Sequence, residues 1–384
     1  MTAQAVPKLQ TAILQSGDGG QGGQNLTISN TVPIPAFTSP HDVLVRVLAV
    51  ALNPTDHKMP SHFPSPGNRV GCDFCGVIVQ AGDEVQKDSL MQVGARVCGG
   101  LFPYGLPQGG AEPDCGAFAQ YIVADSRLLV RVPDTWSDLQ GAVLGGIGWT
   151  TAALAMSDSD ALGLPGYPST PAAKSKNGKP VPVIVYGAAT ATGTMACQLL
   201  TLSGYAPIAI ASKQSAELAT TYGAHATAAY TSPTCDQDVK EALADIGITE
   251  PIRHAIDCIT TRESAKLCFT ALHRMGGRYA CLEGLPAEWR TRRAVHVKEV
   301  MAFEGHGRDM IVNDPTYSRT ASPVLFELCK RWTAEVQGLV DTDRLKSHPV
   351  REVKGEWEGI INGLATLQKG GVRGEKLAIQ VAAL

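Results

Sequence analysis

A turn of small residues near the middle of the chain has the composition of a phosphate-binding turn. Residues 187–193 read Gly-Ala-Ala-Thr-Ala-Thr-Gly and lie between the apolar run "VPVIVY" and a helix-like run. A helix that begins after such a turn presents unpaired N–H groups and the positive end of its dipole to an anion. The Gly-x-Gly-x-x-Gly pattern of dinucleotide sites is incomplete, because Thr190 stands where a middle glycine is common. An ordinary strand-to-helix turn is the alternative to a nucleotide site. The predicted cofactor contacts in the turn are Gly187, Ala189, Thr190, Ala191 and Thr192.

The residues that follow the next apolar run indicate which dinucleotide would bind. Sites for NAD usually place an Asp or Glu about 20 residues after the turn, where it binds the ribose diol. Here the run ends in "IAIASKQS", which contains no acid. A cation and hydroxyls suit a 2′-phosphate, which a carboxylate would repel. We therefore predict NADPH, with Ser212, Lys213, Gln214 and Ser215 at the 2′-phosphate; a solvated surface lysine is the alternative for Lys213.

The cysteines and histidines do not have the spacing of a metal site. The chain has ten scattered cysteines, and Cys72 and Cys75 form its one Cys-x-x-Cys pair. A structural zinc site needs four closely spaced ligands, and the intervals to Cys98 and Cys115 are irregular. Metal or redox use is the minority alternative, and we predict small buried residues on a strand. His57, His62 and His306 are isolated from other ligand types, and no metal is predicted.

The elements around the turn alternate between strands and helices. Such alternation with short connections predicts a parallel sheet covered on both faces, a doubly wound dinucleotide-binding domain. The predicted strands are 183–186, 207–211, 226–230, 254–257, 277–282 and 295–303. The predicted helices are 192–203, 215–222, 235–246 and 264–272. A further helix is predicted over 149–156, and residues 163–180, rich in Pro, Gly, Ser and Lys, are expected to form an exposed loop.

The first third of the chain has short β-type runs separated by Gly, Pro and Asp, which is typical of a barrel-like β module. The tail offers a helix over 355–369 and a strand over 376–381 that could return to this module. The fold class is therefore α/β, with two domains. We predict one domain over 1–152, completed by 339–384, and a dinucleotide-binding domain over 153–338.

Composition excludes several classes of protein. The chain has 384 residues, 44% hydrophobic and 18% charged, with a net charge of −3 and a pI of about 6.3. This balance gives no basic surface for nucleic acid. No uninterrupted apolar run reaches about 18 residues, and the N-terminus has no apolar signal region. We expect no membrane partner and a cytoplasmic, reducing location for the thiols.

The motifs in their order resemble the medium-chain dehydrogenase/reductase superfamily, in which a GroES-like module precedes a Rossmann domain. The segments that carry the resemblance are "ALNPTDHKM", "GCDFCGVIVQAGDEV", "VGARVCG", "GAFAQYIV" and "AIDCIT". The zinc-binding members carry Cys near the Asn-Pro position and Gly-His-Glu where this chain has Gly71-Cys72-Asp73. The catalytic zinc set is thus missing. "NPTDHKM", "TTAALAM", the "ATAT" turn and "GEKL" are most similar to the trans-acting enoyl reductases of fungal polyketide biosynthesis (PKS or PKS-NRPS).

This resemblance implies hydride transfer from NADPH to the β-carbon of an α,β-unsaturated thioester. It implies Lys58 and Thr151 as catalytic residues. Lys58 would face the nicotinamide ribose or the developing enolate, and Thr151 would offer a hydroxyl donor at the start of a helix that borders the substrate cleft. A surface lysine and a helix-cap hydroxyl are the alternatives. The implied further cofactor contacts are Thr55, Asp56, His57, Lys58, Tyr230, Cys281, Leu282, Arg373 and Gly374. The implied substrate contacts are Thr151, Ala152, Ala153, Leu154, Ala155, Met156, Ser157, Asp158, Met301, Ala302 and Phe303.

Two other functions share these features. One is an NADPH-dependent quinone or alkenal reductase that acts on free small molecules, and the other is a non-catalytic NADPH-binding protein. The expected partners are a small acyl substrate and the acyl carrier domain of a polyketide synthase or PKS-NRPS. We expect a monomer, because charges in "VHVKEV" at the last strand of the sheet would resist pairing with a second copy.

Overall fold

The computed structural model describes residues 6–17, 24–87, 90–105 and 116–381. Packing divides the chain into two compact units. Unit 1 comprises Met1–Ile147, Asp309–Thr320 and Ser347–Leu384, and unit 2 comprises Gly148–Arg308 and Ala321–Lys346. The sequence placed the divisions at 152/153 and 338/339 and did not separate residues 309–320 from the second domain. That segment packs in unit 1, where a side chain at Gly105 would meet the sulfur of Met310.

The strands and helices of the described residues are as follows. The strands are β1 (Leu9–Gln15), β2 (Leu26–Pro33), β3 (Asp42–Ala51), β4 (Asp73–Ala81), β5 (Arg96–Gly100), β6 (Tyr121–Asp125), β7 (Val130–Arg131), β8 (Val181–Tyr186), β9 (Tyr205–Ala211), β10 (Ala226–Ala229), β11 (His254–Asp257), β12 (Gly277–Cys281), β13 (Val295–Glu299), β14 (Val350–Glu352) and β15 (Lys376–Gln380). The helices are α1 (Pro54–His62), α2 (Asp138–Leu144), α3 (Ile147–Ser157), α4 (Ala191–Leu202), α5 (Ala216–Thr221), α6 (Cys235–Asp245), α7 (Arg262–Ala271), α8 (Pro323–Asp341) and α9 (Glu356–Gln368).

Unit 1 contains the predicted β module. Its main sheet has the strand order β14-β15-β3-β4-β5-β7, and β6 pairs with β3. Strand β3 is rich in valine and leucine, is mostly buried and lies at the centre of the sheet. Strand β15 pairs antiparallel with β3, so the tail of the chain returns to this module as the sequence predicts.

Unit 2 contains the predicted doubly wound domain. Its six strands follow the order β10-β9-β8-β11-β12-β13, and all of them are parallel. Strand β9, "YAPIAIA", is buried at every position, as expected for a strand covered by helices on both faces. The order reverses next to β8, and in such sheets the carboxyl ends of the strands at this point bind dinucleotides. The α/β fold class and the parallel sheet are confirmed.

One predicted strand ends early in the structure, and the helices α1, α2 and α8 were not predicted. The strand predicted over 295–303 ends at Glu299, and Ala302–His306 form a 3-10 turn in which the Glu304 carboxylate accepts the N–H of Met301. Helix α8 was not predicted, although Ser322 caps it and Pro323 occupies its first turn. Helix α1 was also missed, because Pro60 lies inside it.

The Pro- and Ser-rich stretch 163–180 belongs to unit 2 and is hydrogen-bonded to the rest of that unit at two points. Ser169 donates from its backbone N–H to the Glu335 carboxylate on α8 at 2.9 Å. The Ser175 hydroxyl donates to the carboxylate of Glu250, next to β11. The stretch is therefore an irregular but well-anchored connection.

One stretch, Asp138–Ser157, is long and apolar enough by length and composition alone to cross a membrane. The share of its apolar window that is buried inside the protein is 83%, and Gly145 and Gly146 interrupt it between α2 and α3. So large a buried share is typical of helices in the core of a folded protein.

Candidate active site

The small-residue turn lies at the carboxyl end of β8, where the sheet order reverses. Gly187 has a φ of +72°, a backbone conformation that glycine adopts without strain. Thr190 caps α4, and its hydroxyl accepts the N–H of Gly193 at 3.0 Å. The other N–H groups of the first helical turn have no partner within the helix, so they are available to an anion. The geometry fits the phosphates of a dinucleotide, and the five predicted residues of the turn lie together here.

Gly193 is the position where a side chain would most directly distort this turn. A Cβ atom there would lie 2.3 Å from the carbonyl oxygen of Gly187 and 2.7 Å from the Cα of Ala188. Overpacking of this kind costs about 1–3 kcal/mol, so we expect Gly193→Ala to weaken binding of a nicotinamide dinucleotide by about 10- to 100-fold in a fluorescence titration. Gly338→Ala is the matched control, because a Cβ at that helical glycine meets nothing within 4 Å. Equal affinity of Gly193→Ala and the wild type would contradict the assignment of the turn.

The predicted 2′-phosphate group lies at the next strand end. The Ser212 hydroxyl donates to the Ser215 hydroxyl at 2.9 Å across a short 3-10 turn, and Lys213 and Gln214 are exposed. Tyr230 is 46% exposed, and its ring lies 6.2 Å from that of Tyr186. Its N–H donates to the carbonyl of Ala211, which precedes Ser212. The structure therefore brings Tyr230 and the serine–lysine loop together.

Cys281 and Leu282, the two cofactor contacts predicted at the end of β12, have different surroundings. The Cys281 side chain is buried, and its sulfur lies 3.5 Å from the carbonyl oxygen of Glu283 and 3.9 Å from that of Lys298. This thiol faces the interior, so a cofactor contact of Cys281, which stays a prediction, would have to come from its backbone. The Leu282 N–H donates to the Thr260 hydroxyl at 3.1 Å. Thr260 and its neighbour Asp257 were not identified from the sequence.

In unit 1, helix α1 carries Thr55, His57 and Lys58, all half-buried. Asp56 differs, because its side chain is fully buried. One of its carboxylate oxygens accepts the Asn53 N–H at 2.8 Å, and the other accepts the Tyr104 hydroxyl at 2.6 Å. These bonds fix the start of α1, so the cofactor contact predicted for Asp56 is replaced by an internal structural role.

Burial raises the pKa of Asp56 from 3.8 to about 6, although the hydrogen bonds from Tyr104 and Asn53 oppose the shift. Because the folded protein binds this proton more tightly, the stability that Asp56 contributes is present below pH 4 and is lost as the pH rises through 6.

We therefore expect the free energy of unfolding of the wild type, relative to Asp56→Asn, to be about 1 kcal/mol larger at pH 5 than at pH 8. Burial lowers the pKa values of His254 and His348, so these histidines also make the stability depend on pH, in the opposite sense. Both proteins contain them, so their contribution cancels when the free energies of unfolding of the two proteins are subtracted. Denaturant titrations at both pH values measure it, and a difference that grows toward pH 8 would contradict this assignment.

A second buried carboxylate, Asp73 at the start of β4, joins four segments of unit 1. One of its oxygens accepts the Lys376 ammonium at 2.5 Å and the Asn53 side-chain amide at 2.8 Å. The other accepts the N–H groups of Gly146 and Ile147 at 2.7 and 2.9 Å. Asn53 also donates its backbone N–H to Asp56, so both carboxylates fix the residue that begins α1. No local pattern in the sequence indicates this group.

The predicted substrate contacts on α3 are mostly buried within the protein. Gly148 packs beside the start of α4, where a Cβ would lie 3.9 Å from the carbonyl of Ala191. Residues three apart share a helix face, so Thr151 lies on the same face of α3 as Gly148, the face that packs toward residues 187–193 and the start of α4. A helix cannot present eight consecutive residues to one ligand. Ser157 accepts the indole N–H of Trp332 at 3.0 Å, and its predicted substrate contact stays a prediction.

The remaining predicted contacts are placed as follows. Ala152, Ala153, Leu154, Ala155 and Met156 are buried in the interior of α3, and Asp158 lies 3.9 Å from the Lys298 ammonium. Met301, Ala302 and Phe303 are buried in and next to the 3-10 turn. Arg373 is exposed and Gly374 has a φ of +66°, both in the loop before β15. Their ligand contacts stay predictions.

Within the described residues, no group of three or more His, Cys, Asp or Glu side chains is arranged to hold a metal ion. Cys72, Cys75 and Cys98 are buried free thiols, and burial raises the pKa of Cys75 to about 12. Such thiols stay protonated and are poor nucleophiles. Cys115 lies outside the described residues.

Known proteins share both the sequence and the fold. The alcohol dehydrogenase GroES-like domain family matches residues 39–134. The trans-enoyl reductase calK of Penicillium decumbens is 50% identical over 97% of this chain and 98% of its own length. The trans-enoyl reductase sthE of Phaeosphaeria nodorum is 49% identical over 97% and 98%.

Among solved structures, the CurK enoyl reductase superposes with a TM-score of 0.66 over 98% of this chain and 100% of that one, at 16% identity. At this level of identity the likeness shows the fold alone. The identity of 50% and 49% to the two trans-enoyl reductases extends over nearly the whole chain and shows the family. The chain belongs to the trans-enoyl reductases of the medium-chain dehydrogenase/reductase superfamily and is an oxidoreductase.

Proposed function

We propose that the protein reduces the α,β double bond of a polyketide thioester carried on the acyl carrier domain of a partner synthase, with NADPH as the reductant. The observation that carries the choice of cofactor is the strand end at Ala211, after which residues 212–216 include hydroxyls and a lysine and no carboxylate. The trans-enoyl reductases that this chain resembles supply the reaction class.

The chemistry that bound NADPH supplies is a hydride, which the β-carbon of the substrate accepts. The electron pair of the C=C bond then moves toward the thioester oxygen, and a proton adds to the α-carbon to complete the reduction. The protein must stabilise the enolate oxygen that forms. By resemblance we assign this role to Lys58, whose ammonium is a compact positive charge, and the role needs no metal ion; a contact of the Thr151 hydroxyl with the substrate stays a prediction.

Two substrates test the function directly. We expect the purified protein to consume NADPH with a crotonyl-pantetheine thioester and to leave a simple quinone unreduced under the same conditions. Turnover of the quinone alone would support a reductase of free small molecules. NADPH binding without turnover of either substrate, also in the presence of the carrier domain, would support a non-catalytic binding protein.

Cofactor preference is expected to depend on Ser212. Ser212→Asp places a carboxylate where the 2′-phosphate is proposed to bind, so repulsion should raise the KM for NADPH by about 30-fold and lower the preference for NADPH over NADH. Steady-state kinetics with both cofactors measures this. Thr270→Asp, on the exposed face of α7, adds the same charge to the same unit as a control. An unchanged NADPH-to-NADH ratio in Ser212→Asp would count against the proposed 2′-phosphate site.

We also propose that the protein acts as a monomer in the cytoplasm. Strand β13 forms one edge of the parallel sheet, and its side chains include the exposed His296. The Lys298 ammonium contacts the Glu304 carboxylate at 3.1 Å. Charged side chains on an edge strand oppose pairing with a second copy, which supports the proposal.

A further inference from the structure

The carboxyl ends of β11 and β12 are joined through one buried carboxylate. Asp257, the last residue of β11, is fully buried. One of its oxygens accepts the N–H groups of Ile259 and Thr260 at 2.9 and 3.0 Å. The other accepts the hydroxyls of Ser264 and Tyr279 at 2.6 and 2.7 Å. Four donors from the loop, from α7 and from β12 thus converge on a single side chain.

The residue that this carboxylate holds has a strained backbone. Thr260 has a φ of +56°, a left-handed conformation that is a genuine outlier for a β-branched side chain. Such conformations persist where surrounding contacts hold the residue in place, and they are concentrated at ligand-binding sites and active sites. Glycine would adopt this conformation without strain, so the threonine side chain itself has a role that offsets the strain.

The Thr260 hydroxyl shows what that role is. It accepts the N–H of Leu282 at 3.1 Å, and Leu282 follows directly on β12. The hydroxyl therefore ties together the loops that leave two neighbouring parallel strands. In the same loop, the Ile259 side chain covers the phosphate turn, since a Cβ on Gly187 would lie 2.8 Å from it.

We propose that Thr260, held in its strained conformation by Asp257, is a positioning residue that sets the main chain around Ile259 and Leu282 to receive the nicotinamide end of the cofactor. The inference rests on the proposed function, because it requires that NADPH binds at this edge of the sheet. Thr260 acts through these two loops.

The test compares cofactor affinity with folding stability in three variants. Thr260→Val keeps the shape of the side chain and removes the hydroxyl, so we expect the Kd for NADPH to rise about tenfold in a fluorescence titration. Thr260→Ser keeps the hydroxyl and should bind within about twofold of the wild type. Thr260→Gly relieves the backbone strain and removes the hydroxyl. Its thermal midpoint should equal or exceed that of the wild type, while its Kd rises about tenfold.

A purely structural role predicts a different pattern, in which affinity falls only where the thermal midpoint falls. Thr270→Val, which removes a hydroxyl bonded within the exposed face of α7, controls for the loss of a threonine hydroxyl in this unit. Wild-type affinity in both Thr260→Val and Thr260→Gly would overturn the positioning role and leave the proposed function intact. A wild-type protein that does not bind NADPH would overturn the proposed cofactor and this inference with it.

Discussion

Replacing Asp73 with alanine is expected to lower the free energy of unfolding by about 3–5 kcal/mol. The side chains of Asp73 and Lys376 are 0% and 4% exposed, and their charged atoms are 2.5 Å apart. Removal of the carboxylate leaves the Lys376 ammonium buried without its counter-charge, and the Asn53 amide and two backbone N–H groups lose their acceptor. Denaturant titration monitored by tryptophan fluorescence measures the loss.

Two controls separate the buried pair from ion pairs in general. Glu84→Ala removes the carboxylate of an ion pair with Lys87 whose side chains are both exposed, so we expect its free energy of unfolding to stay close to that of the wild type. The double variant Asp73→Asn/Lys376→Met removes both charges and should recover part of the stability, because the uncompensated charge is the main cost. A double variant less stable than Asp73→Ala would show that the uncompensated charge is not the main cost.

Local sequence patterns predicted unit 2 well. The strands β8 to β12 and helices α4 to α7 are found within about two residues of their predicted bounds, because buried strands and amphipathic helices alternate there with short turns. The strand, turn and helix around residues 187–193 were predicted for the same reason, since they are contiguous in the sequence, and the phosphate contacts of the turn stay a prediction.

The residues that were missed depend on contacts between distant segments. Asp73 and Lys376 are 303 positions apart, so no local pattern relates them. Thr260 was missed for another reason, because the sign of a φ angle at a threonine is not visible in the sequence. Asp56 was assigned to the cofactor by resemblance, and only its burial against Tyr104 shows that its carboxylate is directed inward.

Replacing Lys58 with alanine is expected to lower kcat for the enoyl thioester by about 100-fold, the loss that follows removal of one donor to a developing oxyanion. Lys58 follows the part of α1 that the Asn53–Asp56 hydrogen bond fixes, so its backbone position is set before any ligand binds. Preorganised charge of this kind stabilises the transition state more than the ground state. The Kd for NADPH should therefore change far less than kcat.

Stopped-flow measurement of NADPH oxidation, together with equilibrium titration of NADPH, distinguishes the two roles that Lys58 could have. A fall in kcat at nearly constant Kd supports a contact with the enolate. A rise in Kd at constant kcat would assign the lysine to cofactor binding alone. Lys87→Ala removes an exposed lysine ammonium from the same unit and should leave both constants unchanged. Lys58→Arg retains the charge on a larger, planar group, so a partial recovery of kcat would show that charge, more than shape, supports the reaction.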